Sequence, residues 1–192
     1  MFNNSKGGFS LVEILITVAL IGVLGSIIFI GVGTGRQTGH VEKAGLTQKQ
    51  IANAVALYVN EVGFYPPDVN RGWDPGLAQS LPYNPDTGDT TLPSCGHCPA
   101  NWPDIVNARW HGPYLSAWPQ LTPWKGKYEY NYWPSGASRS GCSVSPGIYI
   151  GVETDYSNNN TIPRSAEDQM IAKGYDSEGC VNGESQLLLI RL

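Results

Sequence analysis

The chain has 192 residues, a formal net charge of −4 and 15% charged side chains, against 23 Gly, 14 Pro, 6 Trp and 10 Tyr. Non-specific nucleic-acid binders and polybasic membrane-surface proteins carry a basic excess that is missing here, so neither nucleic acid nor an acidic lipid surface is expected as a partner. With an N-terminal helix set aside, roughly one loop-rich domain with aromatic anchors is left, sized for a modest core.

The first element is an apolar run from Phe9 to Ile30, entered through Lys6-Gly7-Gly8-Phe9-Ser10-Leu11-Val12-Glu13. As a helix it is about 33 Å long, enough to cross a hydrocarbon core of about 30 Å. Its polar side chains are Ser10, Glu13, Thr17 and Ser26. A carboxylate at the centre of a membrane helix costs about 2.5–3.5 kcal/mol, so Glu13 calls for a role. Lys6 precedes the run and Arg36 is the first basic residue after it, a weak bias toward a cytoplasmic N-terminus. Three readings compete. A secretory signal peptide would be shorter and would use Gly31-Val32-Gly33 as a loose cleavage site. A plain anchor tolerates the length but gives Glu13 nothing to do. Cleavage before the run, between Gly8 and Phe9, keeps the helix in the mature protein.

The octapeptide resembles the class III leader of type IV pilins and type II secretion pseudopilins: a short basic leader ending in Gly, then Phe, with Glu four residues after it. The resemblance implies that a prepilin peptidase cuts after Gly8 and methylates the new amine of Phe9. It also implies that Glu13 guides filament assembly by pairing with the Phe9 amine of a neighbouring subunit. A buried carboxylate needs a cation, and the cleavage creates one. Gly7-Gly8 departs from the single Gly of many relatives, but the Phe9–Glu13 spacing still selects Gly8. Losing residues 1–8 removes Lys6 and no acid, taking the formal charge from −4 to −5.

Beyond the apolar run, Ile51, Val55, Tyr58, Val59 and Val62 fall on one helix face, with Gln48, Lys49, Asn53, Asn60 and Glu61 largely elsewhere. One helix from Phe9 to about Val62 would be roughly 80 Å long. The expected organisation is a leader at 1–8, a transmembrane and assembly segment at 9–35, an amphipathic second half at 36–62 and a globular head at 63–192. Gly31-Val32-Gly33-Thr34-Gly35 is a weak point, each Gly costing about 1 kcal/mol in a helix interior. The resemblance implies that part of this helix melts on assembly; close packing through small residues is the equal alternative.

Gly63-Phe64-Tyr65-Pro66-Pro67 reads as the helix stop. Residues 67–126 form a long Pro/Gly-punctuated segment, with short helices expected over 76–81 and 103–109. Strands are expected over 127–132, 147–152 and 186–191. In the first, Lys127-Tyr128-Glu129-Tyr130-Asn131-Tyr132 alternates strictly and suits an antiparallel sheet with its tyrosine face on the helix. Ser165 reads as an N-cap, with Gly174 as the stop of that helix. Cys95, Cys98, Cys142 and Cys180 all follow the apolar helix, and their even number suits an oxidising compartment. Four cysteines allow three pairings; Cys95–Cys98 closes easily and leaves Cys142 with Cys180.

A second resemblance covers about half the head. Gly63-Phe64-Tyr65-Pro66, Gly112-Pro113-Tyr114-Leu115 and Pro123-Trp124 followed by Lys127-Tyr128-Glu129-Tyr130 is similar to the motif order of major pseudopilins. That family carries an Asp-rich calcium loop near its C-terminus. No clean equivalent occurs here, and Asp155, Asp176 and Glu178 are the weak candidates, without EF-hand spacing. No other cofactor is expected.

Cys95-Gly96-His97-Cys98 matches the active-site tetrapeptide of disulfide isomerase-like oxidoreductases. That chemistry needs a thiolate at a strand–helix junction, and Pro93 and Pro99 mark a loop instead, so a structural disulfide is the preferred reading. Zinc is weaker, since only His97 joins the two cysteines locally. The six tryptophans are read as core and loop staples. No paired carboxylates, phosphate loop or Ser/His/Asp set has convincing spacing, and an enzyme is not expected.

The expectation is an α+β pilin-like fold, a long N-terminal helix packed by its second half on a small antiparallel sheet. Its function would be that of a structural filament subunit. The expected partners are identical subunits, the prepilin peptidase and an inner-membrane assembly platform. The chain would sit in the inner membrane first, then in a periplasmic pseudopilus or an extracellular pilus. The alternatives are a minor or tip subunit with a binding role, and a soluble secreted protein with a cleaved signal peptide.

Overall fold

The computed structural model describes residues 10–154 and 161–192, with side chains described for all of these except 25–34. The chain divides into two compact units, Met1–Gly39 and His40–Leu192. Helix α1 is Leu11–Val62 and runs helically through 31–35. In the first unit Leu11, Ile14, Leu15 and Val18 form an exposed apolar stripe at helical spacing. Among the described residues no helix is long and apolar enough to cross a membrane. The apolar run of the sequence begins before these residues and ends among side chains that are not described.

In the second unit, α1 ends where Gly63 turns out of the helix at φ +95°, its N–H donating to the Val59 carbonyl at 2.9 Å. The Arg109 guanidinium donates to the Val62 carbonyl at 3.0 Å, satisfying a helix-end acceptor. Helix α2 is Trp102–Arg109 and α3 is Arg164–Ala172. Strands β1 (Lys127–Trp133), β4 (Gly147–Glu153) and β5 (Ser185–Arg191) make an antiparallel sheet of order β1-β4-β5. Tyr130 pairs with Ile150, and Ile150 with Leu187. Strands β2 (Ala137–Arg139) and β3 (Cys142–Val144) form a separate hairpin.

The helix packs on the sheet through Val41, Ala44, Ile51, Val55, Tyr58 and Val62, buried with Tyr128 and Tyr130 of β1 and Ile148, Ile150 and Val152 of β4. This is the expected α+β arrangement. Gln48 differs from expectation: it is fully buried, because its side-chain amide donates to the Ile150 carbonyl at 2.9 Å. That bond lets a polar residue sit between helix and sheet.

Two local expectations are corrected, and one element is new. Residues 76–81 form turns in place of a helix. The buried Asp74 carboxylate accepts the N–H groups of Leu77 (2.8 Å), Ala78 (2.9 Å) and Gln79 (3.2 Å), supplying from a side chain what a helix supplies from its backbone. Ser165 lies inside α3, whose N-cap is Pro163. The β2–β3 hairpin was not foreseen; its turn uses Ser140 and Gly141 at φ +46° and +87°.

Candidate functional site

At the start of α1, the Ser10 N–H donates to Glu13 Oε2 at 3.0 Å, and the Val12 N–H donates to Ser10 Oγ at 3.3 Å. Ser10-Leu11-Val12-Glu13 thus closes a variant of the capping box, with the serine side chain reaching the second helical residue. Ser, then Glu three residues on, before an apolar run is the signature that would have revealed it. Gly8 and Phe9 lie outside the described residues.

The second place where charge gathers is the head. Arg71 follows α1, Arg139 lies on β2, Glu129 on β1, Glu153 at the end of β4 and Glu184 just before β5. Arg71 Nη2 donates to Glu153 Oε2 at 2.9 Å and to Glu184 Oε1 at 3.3 Å. Arg139 donates through Nη2 to Glu153, and through Nε to Glu184 Oε2 at 3.3 Å. Glu153 also accepts from the Gln186 amide, and the Thr154 hydroxyl donates to Glu184 at 2.5 Å. Burial pushes the Glu129 and Glu153 carboxyls well up, against the pull of both arginines; neighbouring carboxylates raise Glu153 further. Burial raises Glu184 too, but the Thr154 hydroxyl and Arg139 outweigh it and hold that carboxyl below its ordinary value.

This network covers the face of β1 opposite its buried tyrosines. Above it lies a cavity of about 450 Å³ whose walls include Asp68, Trp73, Glu129, Asn131, Trp133 and Arg139. The Arg139 guanidinium lies 5.6 Å from the Trp133 ring centre. Glu129 Oε2 accepts no hydrogen bond, its nearest cationic nitrogens standing 3.6 Å (Arg139) and 3.7 Å (Arg71) away.

Compared with known families, residues 3–29 match the prokaryotic N-terminal methylation motif. That motif is the one found in class III prepilin leaders. The match supports the type IV pilin and pseudopilin family, whose members are structural rather than catalytic. It indicates a prepilin peptidase substrate and a membrane-anchored precursor destined for a pilus or pseudopilus. No curated protein matches the chain, and no solved structure does.

In the head, Cys95 is bonded to Cys98 and Cys142 to Cys180, with Cα separations of 5.3 and 6.2 Å. Cys95, His97 and Cys98 form the group of three metal-ligating side chains that converges among the described residues. Both sulfurs are taken by the disulfide. His97 stacks on Tyr132 at 3.6 Å, and its Nε2 lies 3.0 Å from the Pro66 carbonyl oxygen. The tetrapeptide sits in a loop, without the strand–helix junction a redox thiolate uses.

Of the weak calcium candidates, Asp176 and Glu178 lie among the described residues and are engaged by protein groups. Asp176 Oδ1 accepts the N–H groups of Glu178 (3.0 Å) and Gly179 (3.4 Å). Glu178 instead accepts from the Tyr149 hydroxyl at 2.7 Å. Asp155 lies outside the described residues. Sequence reasoning missed Arg71, Glu129, Arg139, Glu153 and Glu184, which are spread along the chain and meet only after folding. The available hint was Glu129 and Asn131 alternating with the tyrosines of β1.

Proposed function

We propose that this chain is a structural subunit of a type IV pilus or a type II secretion pseudopilus. The observation that carries the reading is the methylation motif over residues 3–29, with Glu13 at family spacing after Phe9. In this reading prepilin peptidase cleaves after Gly8 and methylates the Phe9 amine. The helix waits in the inner membrane, at an assembly platform. Glu13 of an incoming subunit then pairs with the Phe9 amine of its neighbour, ordering a helical homopolymer. The segment 31–35 loosens as the helix enters the filament; continuous helical density there in a filament map would overturn that step.

The two disulfides hold the long head loops on the filament surface, where the compartment is oxidising. A minor or tip subunit is the second reading, favoured by the head cavity, which a purely structural subunit does not need. N-terminal sequencing of filament subunits, with mass identification of the chain in purified fibres, tests the proposal. Methylated Phe9 supports it. A mature start near Thr34 would mark a cleaved signal peptide and end it.

A further inference from the structure

We propose that the head cavity walled by Trp73, Trp133, Asp68 and Glu129 binds a primary alkylammonium group, with its methylene chain lying along the indole rings. The first argument is charge. Beneath the cavity Arg71 and Arg139 face Glu129, Glu153 and Glu184, and Asp68 and Asp89 add two more carboxylates on its walls. The site carries an acidic excess although Arg139 lines it. Both guanidiniums already face Glu153 and Glu184, which offset their charge toward an incoming anion.

The second argument is an acceptor without a donor. Glu129 is 8% exposed, lines the cavity, and its Oε2 accepts no hydrogen bond. With its nearest cations beyond hydrogen-bond distance, this buried acceptor is under-satisfied, and an N–H donor entering the cavity would supply the missing bond. The third is the wall chemistry. Indole faces attract ammonium groups and cover the methylenes behind them. The volume, about 450 Å³, is that of a small-molecule site.

Shape separates this ligand from a bare metal ion. Among the described residues the cavity carboxylates do not converge to metal-ligand distances. A chain bearing one or more ammonium groups reaches separated carboxylates as a single ion cannot. A neutral sugar would satisfy Glu129 but leave the acidic excess uncompensated. Two sources present the same chemistry, a free polyamine and a lysine side chain on a polypeptide.

The test is calorimetric titration of the full chain in detergent micelles with spermidine, with N-acetyl-lysine-N-methylamide, with its norleucine counterpart, and with glucose. Saturable binding of spermidine alone assigns a free polyamine; binding of the lysine compound, with or without spermidine, assigns a side chain. Either supports the proposal if Glu129→Gln weakens it by about tenfold or more. Should Glu129→Gln fold poorly, Asp89→Asn at the exposed rim is expected to weaken binding severalfold with the melting temperature unchanged. Equal binding of the norleucine compound or glucose, or no binding by either cation at about 10 mM, would overturn it. So would binding that neither substitution weakens.

Discussion

Replacing Arg71 with Met removes one of two cations from a buried network while keeping most of the side-chain volume. Arg71 is 11% exposed at its side chain, and its loss leaves Glu153, which is fully buried there, and Glu184 facing Arg139 alone. Breaking a buried pair from one side costs about 3–5 kcal/mol, because the remaining charge stays desolvated. The cost should depend on pH. Glu129 and Glu153 have folded-state values of about 7 and about 8, above their ordinary 4.5. The folded protein therefore binds more protons than the unfolded chain between these limits. This contribution to stability is fully present below about 4.5 and is lost as pH rises through about 7 and then 8. Without Arg71 both carboxyls rise further, so the variant gains more on acidification. Urea unfolding of the full chain in detergent, followed by tryptophan fluorescence at pH 8.5 and 5.5, should give a loss of about 3–5 kcal/mol at the higher pH and a smaller one at the lower. A loss below about 1 kcal/mol, or one equal at both values, would refute the claim that this network is buried and charged.

Gly45→Ala should destabilise the head by about 1–3 kcal/mol despite the better helix propensity of Ala, because a Cβ there overlaps the Tyr175 ring. A raised urea midpoint would contradict that packing. Cys142 and Cys180 are 38 residues apart and Cys95 and Cys98 only 3, so loop entropy assigns about 4 kcal/mol to the first bond and about 2 to the second. Paired Cys→Ser variants should lower the midpoint in that order, and the reverse order would count against the entropic account. Glu13→Gln keeps an acceptor for the Ser10 N–H but removes the charge. Leader cleavage should stay near normal while filament yield in electron micrographs falls severalfold, and normal filaments would show that the charge is dispensable.

The elements legible in the sequence are those with a long period. Ile51, Val55, Tyr58 and Val62 repeat at helical spacing, and each lies in the core. Tyr128 and Tyr130 alternate, and their face is buried. What stayed hidden depends on contacts between distant residues. The strands of the β2–β3 hairpin are each three residues long, too short for a period to show. Gln48 looks like a surface residue until the Ile150 carbonyl is opposite it. The ion network joins residues up to 113 positions apart, placed together because β1 pairs with β4 and the Arg71 loop crosses their ends. Short-range turn chemistry misled in the other direction: 76–81 has helix-like composition, but Asp74 satisfies its N–H groups first.

The Ser10 cap bears directly on why Glu13 would need a cation at all. The carboxylate already holds one hydrogen bond within its own chain, from the Ser10 N–H at 3.0 Å. A hydrogen bond to a charged group contributes about 1.5–3 kcal/mol net in ordinary protein surroundings. Holding a carboxylate at the centre of a bilayer costs about 2.5–3.5 kcal/mol on the most lenient scale, and Glu13, in the first turn of α1, lies toward the helix end where that cost is smaller. The cap narrows that cost without cancelling the charge, so in the proposed filament an ammonium partner would still stabilise the acid. The two roles are compatible, since a carboxylate offers two oxygens and several lone-pair directions. The cap also fixes the rotamer of Glu13 before any partner arrives, which lowers the ordering cost of the pairing. One side chain therefore starts the helix in the single chain and, in the proposed filament, receives its neighbour's amine.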